Sequence, residues 1–192
     1  MNTGGDGSTR QHPEAPVGVV LAGGASRRMG WDKALSSLPA LTAERLAAVC
    51  AEVAVADGGR GLLPGLPSLP DGPGRGPAAG ILGAAAAYPG RPLLVQACDL
   101  PRVPAALLGE LAQGGYDWVV PRWSRGLEPL CALYGPAALA LLAEKRILAL
   151  HRLAKEDLAI RYLEGDGLAR FGLPEEVFLN LNTPEDWDRY LR

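Results

Sequence analysis

The stretch that decides the fold of this chain is Val17-Gly18-Val19-Val20-Leu21-Ala22-Gly23-Gly24, which continues as Ala25-Ser26-Arg27-Arg28-Met29-Gly30-Trp31-Asp32-Lys33. Its first four residues form an apolar run that is typical of a buried β-strand. Two consecutive glycines at the end of a strand let the backbone pass close to a ligand, where any Cβ atom would collide. The arginines and the lysine that follow supply fixed positive charge. A glycine-lined backbone beside such a cationic cluster suits a polyphosphate.

Two well-known phosphate-binding motifs do not fit this stretch. The dinucleotide-binding fingerprint requires glycines in the pattern G-x-G-x-x-G, whereas Gly23, Gly24 and Gly30 have another spacing. A Walker loop requires a lysine directly after its second glycine, but two residues separate Gly30 from Lys33. The sequence also lacks the N-K-x-D guanine motif, which disfavours a GTPase switch. From the residues alone, the remaining alternative is a glycine turn with solvated basic side chains.

Apolar β-like runs alternate with helical patterns along the first two thirds of the chain. This alternation predicts a three-layer α/β/α fold, with a mostly parallel, Rossmann-like sheet and helices on both faces. Ligands in such sheets bind at the carboxyl ends of the strands, so chemistry is expected just after each strand. The predicted strands are 17–20, 52–56, a short one around Leu69, 92–97, 118–120, 130–134, 159–163 and 177–181, and the predicted helices are 42–50, 78–88, 104–113, 136–144, 147–155 and one that starts at Pro184.

Length, charge and cysteine content limit the classes of function. With 192 residues the chain is long enough for one α/β domain, predicted over 17–192, behind a flexible polar tail at 1–16. The net charge of −2 gives no general attraction to nucleic acid or anionic membranes. No apolar stretch approaches the ~20 residues that span a bilayer, so neither nucleic acid nor membrane is expected as a partner. The odd cysteine count, without metal-ligand spacing, predicts buried thiols in a reducing cytoplasm.

Two acidic residues stand where such a sheet places its chemistry. Asp99 directly follows the predicted strand 92–97, and a carboxylate at a strand tip is a suitable ligand for a divalent cation. The alternative role of Asp99 is to cap the helix that follows. Asp71 lies in a glycine- and proline-rich connection before the helix 78–88. From the pattern alone, a turn residue and a ligand-binding residue are equally expected there.

The stretch from Leu21 to Lys33 closely resembles the signature loop L-A-G-G-x-S/A-x-R-M-G-x-D-K of the molybdenum cofactor guanylyltransferase family. Related cytidylyl- and uridylyltransferases usually have L-A-A-G, so the Gly23-Gly24 pair resembles the guanine-using branch. The resemblance extends from Val17 to Arg192. Its further motifs are Asp71 with Gly76-Pro77-Ala78-Ala79-Gly80-Ile81, then Cys98-Asp99-Leu100-Pro101, Glu128-Pro129-Leu130-Cys131-Ala132-Leu133-Tyr134 and Asn180-Leu181-Asn182-Thr183-Pro184-Glu185-Asp186.

The resemblance implies a sheet of the nucleotide-diphospho-sugar transferase type and a Mg²⁺-dependent guanylyltransferase. The implied reaction transfers GMP from GTP to Mo-molybdopterin and releases pyrophosphate. Cofactor-biosynthesis proteins and recipient molybdoenzymes are the implied protein partners. The implied catalytic residues are Arg28, Lys33 and Asp99, with Asp99 as the metal ligand. The residues expected to contact GTP are Leu21, Ala22, Gly23, Gly24, Ser26, Lys33, Asp71 and Asp99. The acceptor is expected to contact Asn180, Asn182 and Arg146, and the strand from Glu128 to Tyr134 is expected to bound its side of the cleft.

Some alternatives stay open at this point. In the family an asparagine often follows the second strand and contacts the nucleotide, whereas this chain has Ala56-Asp57-Gly58-Gly59, with Asp57 as a candidate substitute. Cytidylyltransferases of the molybdopterin cofactor and sugar-phosphate nucleotidyltransferases are the rivals within the same fold. A rival from another class is a catalytically silent module that binds GTP or delivers cofactor, which the presence of Lys33 and Asp99 disfavours.

Overall fold

The fold is built on one mixed, eight-stranded sheet with a parallel centre. The computed structural model describes residues 15–23 and 37–191. The strands are β1 (Val17–Leu21), β2 (Val53–Ala56), β3 (Ser68–Leu69), β4 (Leu93–Ala97), β5 (Trp118–Trp123), β6 (Gly126–Leu127), β7 (Cys131–Tyr134) and β8 (Ile160–Leu163). Their order in the sheet is β3-β2-β1-β4-β7-β5-β6, and β8 also pairs with β5.

Helices cover both faces of this sheet, as predicted. Successive residues of a strand point to opposite faces. On β1, a Cβ atom added at Gly18 would lie 3.0 Å from Leu46 Cβ, whereas Leu21 packs on the other face against Gly80. The helices are α1 (Leu38–Ala47), α2 (Pro77–Ala87), α3 (Ala105–Leu111), α4 (Pro136–Glu144), α5 (Asp166–Ala169), α6 (Pro174–Val177) and α7 (Pro184–Leu191), with a 3₁₀ helix at Leu150–Lys155.

The strand directions place four connections side by side. Strands β1, β2, β3 and β4 are parallel neighbours, so they all end at one edge of the sheet, which we call the carboxyl edge. The residues that follow them there are Ala22, Asp57, Pro70 and Cys98. The opposite edge, at which these four strands begin, is the amino edge. Between β1 and β4 the chain order reverses, which is where doubly wound sheets bind ligands.

One strand direction is not predicted by the alternation of elements. Strand β7 runs antiparallel between β4 and β5. It follows β5 through the short β6 hairpin, and a connection of this length is too short to cross over to a parallel strand. As a consequence β7 begins at the carboxyl edge, and the residues that precede it reach the same edge as the ends of the parallel strands.

Three predicted elements differ from the structure. Helix α1 spans Leu38–Ala47 instead of 42–50, with Pro39 in its first turn, so Thr42 is a buried residue within the helix and not its first residue. The predicted helix 147–155 is only the short 3₁₀ helix. The predicted strand 177–181 is wrong, because Pro174 and the two glutamates after it start the helical turn α6 instead. The apolar residues of 177–181 are nevertheless buried, since they pack against the core in an extended connection.

The core is one contiguous cluster that runs from Val17 to Leu181. Cys50, Cys98 and Cys131 are buried free thiols within it, as predicted. Burial raises the pKa of the Cys50 thiol to about 11, so this group stays protonated near neutral pH. Within residues 15–23 and 37–191, no helix has the length and apolarity to cross a membrane.

Candidate active site

The ends of β1 and β4 form the centre of the site. Leu21 is paired with Ala97 in the parallel register, and the Cys98 N–H donates to Leu21 O at 3.1 Å. This register places Ala22 and Asp99 at the tips of adjacent strands. The side chains of Leu21 and Ala22 are buried. A nucleotide at this position would therefore meet the backbone of these residues, as the sequence predicts for a glycine-lined bend.

Only the first residues of the predicted loop belong to the described part of the chain. Gly24, Ser26, Arg28 and Lys33 lie outside the described residues, and their roles remain predictions. Gly23 is the last described residue before them, and a Cβ atom added to it would lie 3.6 Å from Ala56 O. Gly23 itself therefore lies beside the end of β2, at the carboxyl edge.

Asp71 reaches the same edge because its loop lies unusually close to α2. The Gly72 N–H donates to Ala79 O of the helix at 2.8 Å. A Cβ atom at Gly83 would overlap the carbonyl oxygen of Pro70, and one at Gly72 would lie 2.6 Å from Gly83 N. The glycines therefore let the loop backbone pack directly on the helix. At Gly72 and Gly83 the chain itself fills the space that a side chain would occupy.

The position of Asp71 follows from this packing. Its Oδ1 lies 3.9 Å from the site of a Cβ atom on Gly80, which in turn would be 3.2 Å from Leu21 Cδ2. Its Oδ2 lies 3.8 Å from the corresponding position on Gly58. Asp71 is exposed at the end of β3, beside the ends of β1 and β2. Its carboxylate can therefore accept hydrogen bonds from a ribose or a base.

The segment that contains Asn180 runs directly beside Asp99. The Leu181 N–H donates to Asp99 O at 2.9 Å, and Leu181 is fully buried. The Asn180 Oδ1 atom is buried and has no hydrogen-bond partner among the described residues. An amide oxygen and a carboxylate therefore stand together at the end of β4. Because this segment is not the predicted strand, strand alternation does not set the directions of the Asn180 and Asn182 side chains.

Asn182 is mainly part of a helix cap. Its N–H donates to Asp186 Oδ2 at 2.9 Å, and the Thr183 N–H donates to the same oxygen at 2.8 Å. The Asp186 N–H in return donates to Thr183 Oγ1 at 3.2 Å. This reciprocal pair is a capping box at the start of α7. The Asn182 side chain is exposed next to the Asn180 segment, so it can still reach an acceptor.

Arg146 lies at the carboxyl edge but away from Asn180 and Asn182. It follows α4 in the left-handed conformation, with φ of 51°. A Cβ atom at Gly74 would lie 2.9 Å from Leu148 Cδ2, which places this segment beside the Asp71 loop. In the described part of the chain Arg146 forms no hydrogen bond or ion pair with the two asparagines. The structure therefore brings Asp99 and Asn180 together, and Arg146 stays on the other side of the switch point.

Sequence reasoning missed the chemistry of Glu128. Burial and the neighbouring Asp99 carboxylate raise the pKa of Glu128 to about 7, although the Leu130 N–H donates to it and works in the opposite direction. Glu128 precedes β7, and its N–H donates to Pro121 O at 2.9 Å. Two carboxyl groups thus share the end of β4. The antiparallel course of β7, which the sequence did not reveal, is what brings Glu128 there.

Asp57 does not replace the missing asparagine. It is 1% exposed, and its Oδ1 accepts from Gly59 N–H at 3.0 Å, from Arg60 N–H at 3.2 Å and from the Ser68 hydroxyl at 2.6 Å. The Leu62 N–H donates to the other oxygen at 2.9 Å. Burial works to raise the Asp57 pKa, but these hydrogen bonds outweigh it and hold the pKa below its usual value. Asp57 therefore stabilises its own loop, and its burial leaves the carboxylate inaccessible to a base.

The site as a whole is a doubly wound sheet whose carboxyl edge gathers a glycine bend, two exposed or half-buried aspartates and a buried amide oxygen. This is the arrangement of an α/β nucleotide-binding protein, whose ligands bind at the carboxyl ends of the strands. Comparison with known proteins specifies the class further. The sequence model of the MobA-like NTP transferase domain matches residues 18–157. The chain belongs to the MobA-like NTP transferase family, and its class is that of nucleotidyltransferases.

Individual relatives cover most of the chain. A probable molybdenum cofactor guanylyltransferase from Pelotomaculum thermopropionicum is 35% identical over 184 residues, which span 88% of this chain and 89% of that protein. A molybdenum cofactor guanylyltransferase from Cereibacter sphaeroides is 37% identical, over 90% of this chain and 93% of its own. The crystal structure of molybdopterin-guanine dinucleotide biosynthesis protein A from Archaeoglobus fulgidus has a TM-score of 0.74 at 24% identity, with 90% and 95% of the two chains covered. That likeness confirms the predicted fold.

Proposed function

We propose that this protein transfers GMP from GTP to the terminal phosphate of Mo-molybdopterin and releases pyrophosphate. The observation that carries the proposal is the convergence of the Ala22–Gly23 bend, Asp71 and Asp99 at the carboxyl edge of a MobA-like sheet. The names of the relatives that match most of the chain support the choice of nucleotide and acceptor.

The reaction needs no protein nucleophile. The acceptor is a phosphate monoester, which is already anionic near neutral pH. One of its oxygens attacks the α-phosphorus of GTP, and the bond from that phosphorus to the oxygen bridging to the β-phosphorus breaks. A phosphoanhydride forms and pyrophosphate leaves with the electron pair. The task of the protein is therefore to align the two anions and to balance their charge.

A divalent cation fits the residues at the end of β4. Mg²⁺ prefers oxygen ligands and is commonly held by one or two protein groups plus substrate phosphates. Asp99 supplies a carboxylate, and the buried Asn180 Oδ1, which has no hydrogen-bond partner within 15–23 and 37–191, supplies an amide oxygen in the adjacent segment. Membership of a nucleotidyltransferase family supports a divalent ion, and we propose Mg²⁺. When bound, such an ion would neutralise negative charge on the phosphates of the nucleotide and the acceptor.

The roles of the remaining residues are proposed from the sequence motif and from their places in the fold. Backbone N–H groups between Ala22 and Ser26 are proposed to face the nucleotide, while Arg28 and Lys33 balance the charge of the departing pyrophosphate. Asp71 is proposed to accept from the ribose or the guanine. Asn182 and Arg146 are proposed for the acceptor. The three buried free thiols agree with our placement of the reaction in the cytoplasm, next to cofactor-biosynthesis proteins and recipient molybdoenzymes.

The experiment that tests this function compares nucleotides and one variant. Purified protein is mixed with Mg²⁺, Mo-molybdopterin and GTP, CTP or UTP, and pyrophosphate and the pterin dinucleotide are quantified. We expect product mainly with GTP, and a loss of about 100-fold or more in Asp99→Asn. Asp166→Asn, an exposed aspartate at the start of α5, is the matched control and should keep wild-type turnover. Equal or better turnover with CTP, or none with any nucleotide, would refute the guanylyltransferase assignment.

A further inference from the structure

The guanidinium of Arg60 joins two backbone carbonyls that are distant in sequence. Its Nε–H donates to Asp57 O at 2.8 Å, and one terminal nitrogen donates to Ala22 O at 2.6 Å. The first contact lies within the turn after β2. The second reaches across to the residue after β1, 38 positions earlier in the chain. Arg60 therefore connects the end of β2 to the start of the glycine bend.

The turn that carries Arg60 is itself held firmly. The buried Asp57 carboxylate accepts four hydrogen bonds from the turn and from β3, among them the N–H of Arg60. The Gly59 N–H donates to Leu69 O at 3.0 Å. Gly58, Gly59 and Gly61 have φ values of 72°, 79° and 66°, which side chains other than glycine rarely adopt. The backbone of Arg60 thus has one defined position from which the side chain extends.

The carbonyl that Arg60 holds determines the direction of the next N–H group. The Ala22 N–H donates to Ala56 O at 3.1 Å, so Ala22 presents both its N–H and its carbonyl toward β2. Because the peptide bond is planar and trans, the N–H of Gly23 points away from β2, to the side of β1 on which β4 lies. A glycine at this position has no intrinsic preference that would keep the peptide in that orientation. The hydrogen bond from Arg60 supplies it.

We propose that Arg60 is a positioning residue of the nucleotide site. It acts through Ala22: by holding the Ala22–Gly23 peptide it keeps the first N–H group of the bend directed at the nucleotide, and it need not touch the nucleotide itself. The proposal rests on the proposed function in one respect, namely that the bend binds a nucleoside triphosphate. It does not depend on which base that nucleotide carries.

A second arginine of similar geometry provides the matched control. Arg91 pairs with Glu52 and donates to Ala15 O at 3.1 Å, so it joins the segment before β1 to the one before β2 at the amino edge. Both arginines bind a carbonyl next to β1. Only Arg60 does so at the edge where the nucleotide is expected.

The test measures nucleotide affinity, steady-state kinetics and thermal stability of Arg60→Ala, Arg60→Lys and Arg91→Ala in the full chain. Equilibrium titrations use GTP, CTP, UTP and ATP with Mg²⁺, and kinetics follow pyrophosphate release with the nucleotide that wild type uses.

For Arg60→Ala we expect KM and Kd for that nucleotide to rise about tenfold, with kcat within about threefold of wild type. Arg60→Lys should recover only part of the loss, because Arg60 uses two separate nitrogens of a planar guanidinium, whereas lysine has a single nitrogen on a flexible stem. Arg91→Ala should lower Tm and leave the nucleotide KM unchanged.

The outcomes separate this proposal from the proposed function. If Arg60→Ala keeps a nucleotide KM within about twofold of wild type, or if Arg60→Lys behaves as wild type, the positioning role is wrong. An equal rise in KM for the acceptor and the nucleotide would also contradict it, since that would indicate a general loss of structure. If wild type prefers CTP, the guanine assignment fails while the Arg60 test proceeds with CTP. If wild type binds no nucleotide, both proposals fall.

Discussion

The amino and carboxyl edges of the sheet use charge in opposite ways. At the amino edge Arg91 pairs with Glu52, and Asp117 Oδ2 accepts from Ala159 N–H at 2.9 Å. At the carboxyl edge two carboxyl groups, Asp99 and Glu128, lie close enough for one to raise the pKa of the other. Burying like charges together costs free energy of folding. The difference indicates that the amino edge serves stability and that the carboxyl edge is arranged for a ligand that carries positive charge.

The largest effect should come from the cation that the sequence places at the carboxyl edge. We expect Lys33→Ala to slow GMP transfer by two to three orders of magnitude, about 3–4 kcal/mol in activation free energy, because charge on the leaving pyrophosphate loses its counterion. The measurement is pyrophosphate release at saturating GTP. The control is Lys155→Ala, an exposed lysine in the 3₁₀ helix, which should keep wild-type turnover. Near-normal turnover in Lys33→Ala would contradict the catalytic role that we assign to the carboxyl edge.

The second effect concerns the loss of folding stability caused by burying Glu128 beside Asp99. Because the pKa of Glu128 is about 7 in the folded protein and near 4.5 when unfolded, the unfolded chain loses its proton first as pH rises. Wild type should therefore lose stability between these two values, and the penalty should be complete above pH 7. Glu128→Gln removes the group and should be more stable than wild type by up to about 3 kcal/mol at pH 8, with little difference at pH 4.

Urea unfolding in metal-free buffer at several pH values measures this difference. The control is Glu176→Gln, an exposed glutamate in α6, for which we expect no pH-dependent gain. A stability difference between Glu128→Gln and wild type that stays constant from pH 4 to pH 8 would show that Glu128 and Asp99 do not oppose each other.

The third effect tests how the Asp71 loop is held. Gly83→Ala should destabilise the protein by about 1–3 kcal/mol, because the added methyl group would overlap the carbonyl oxygen of Pro70. It should also raise the KM for GTP, since the loop that carries Asp71 must move off α2. Gly109→Ala is the matched control within another helix, where a Cβ atom meets nothing within 4 Å. That variant should gain roughly 0.5–1 kcal/mol. If both variants have the same stability, the close approach of the loop to α2 is wrong.

The smallest effect concerns the cap that anchors the Asn180 segment. Thr183→Ala removes the hydroxyl that accepts from Asp186 N–H and should cost about 1 kcal/mol in unfolding free energy. Thr183→Ser keeps the hydroxyl and should retain most of the stability. We expect the KM for GTP to stay unchanged, because the cap lies on the acceptor side. A change in the GTP KM alone would place the nucleotide nearer to α7 than the account allows.

The sequence was sufficient for features that depend on local patterns. Largely apolar runs such as Val17–Leu21 and Leu93–Ala97 identified the central strands, and their position before Gly23 and Asp99 predicts where the site lies. The predicted strand 177–181 was wrong, since a run of buried apolar residues also fits an irregular segment that packs on a core. Pro174 followed by two glutamates is typical of the start of a helix, and this was the signal in the sequence against a strand.

Features that depend on contacts between distant segments were not predictable from one sequence. Arg60 looks like an ordinary surface arginine until the structure places it against Ala22, 38 residues away. Glu128 gains its raised pKa only because β7 runs antiparallel and returns to the end of β4. Asp57 was a plausible base-reading residue until its four hydrogen-bond donors were seen. Arg28 and Lys33 remain predictions from the motif.

The central claim is that a triphosphate and a divalent cation meet between the glycine bend and the end of β4. A crystal structure with a non-hydrolysable GTP analogue and Mg²⁺ tests it most directly. We expect the ion about 2.0–2.1 Å from an Asp99 carboxylate oxygen, bridging to phosphates that accept from backbone N–H groups of the bend that starts at Gly23. A nucleotide bound elsewhere, or an Asp99 side chain that points away from both ion and phosphates, would contradict the account.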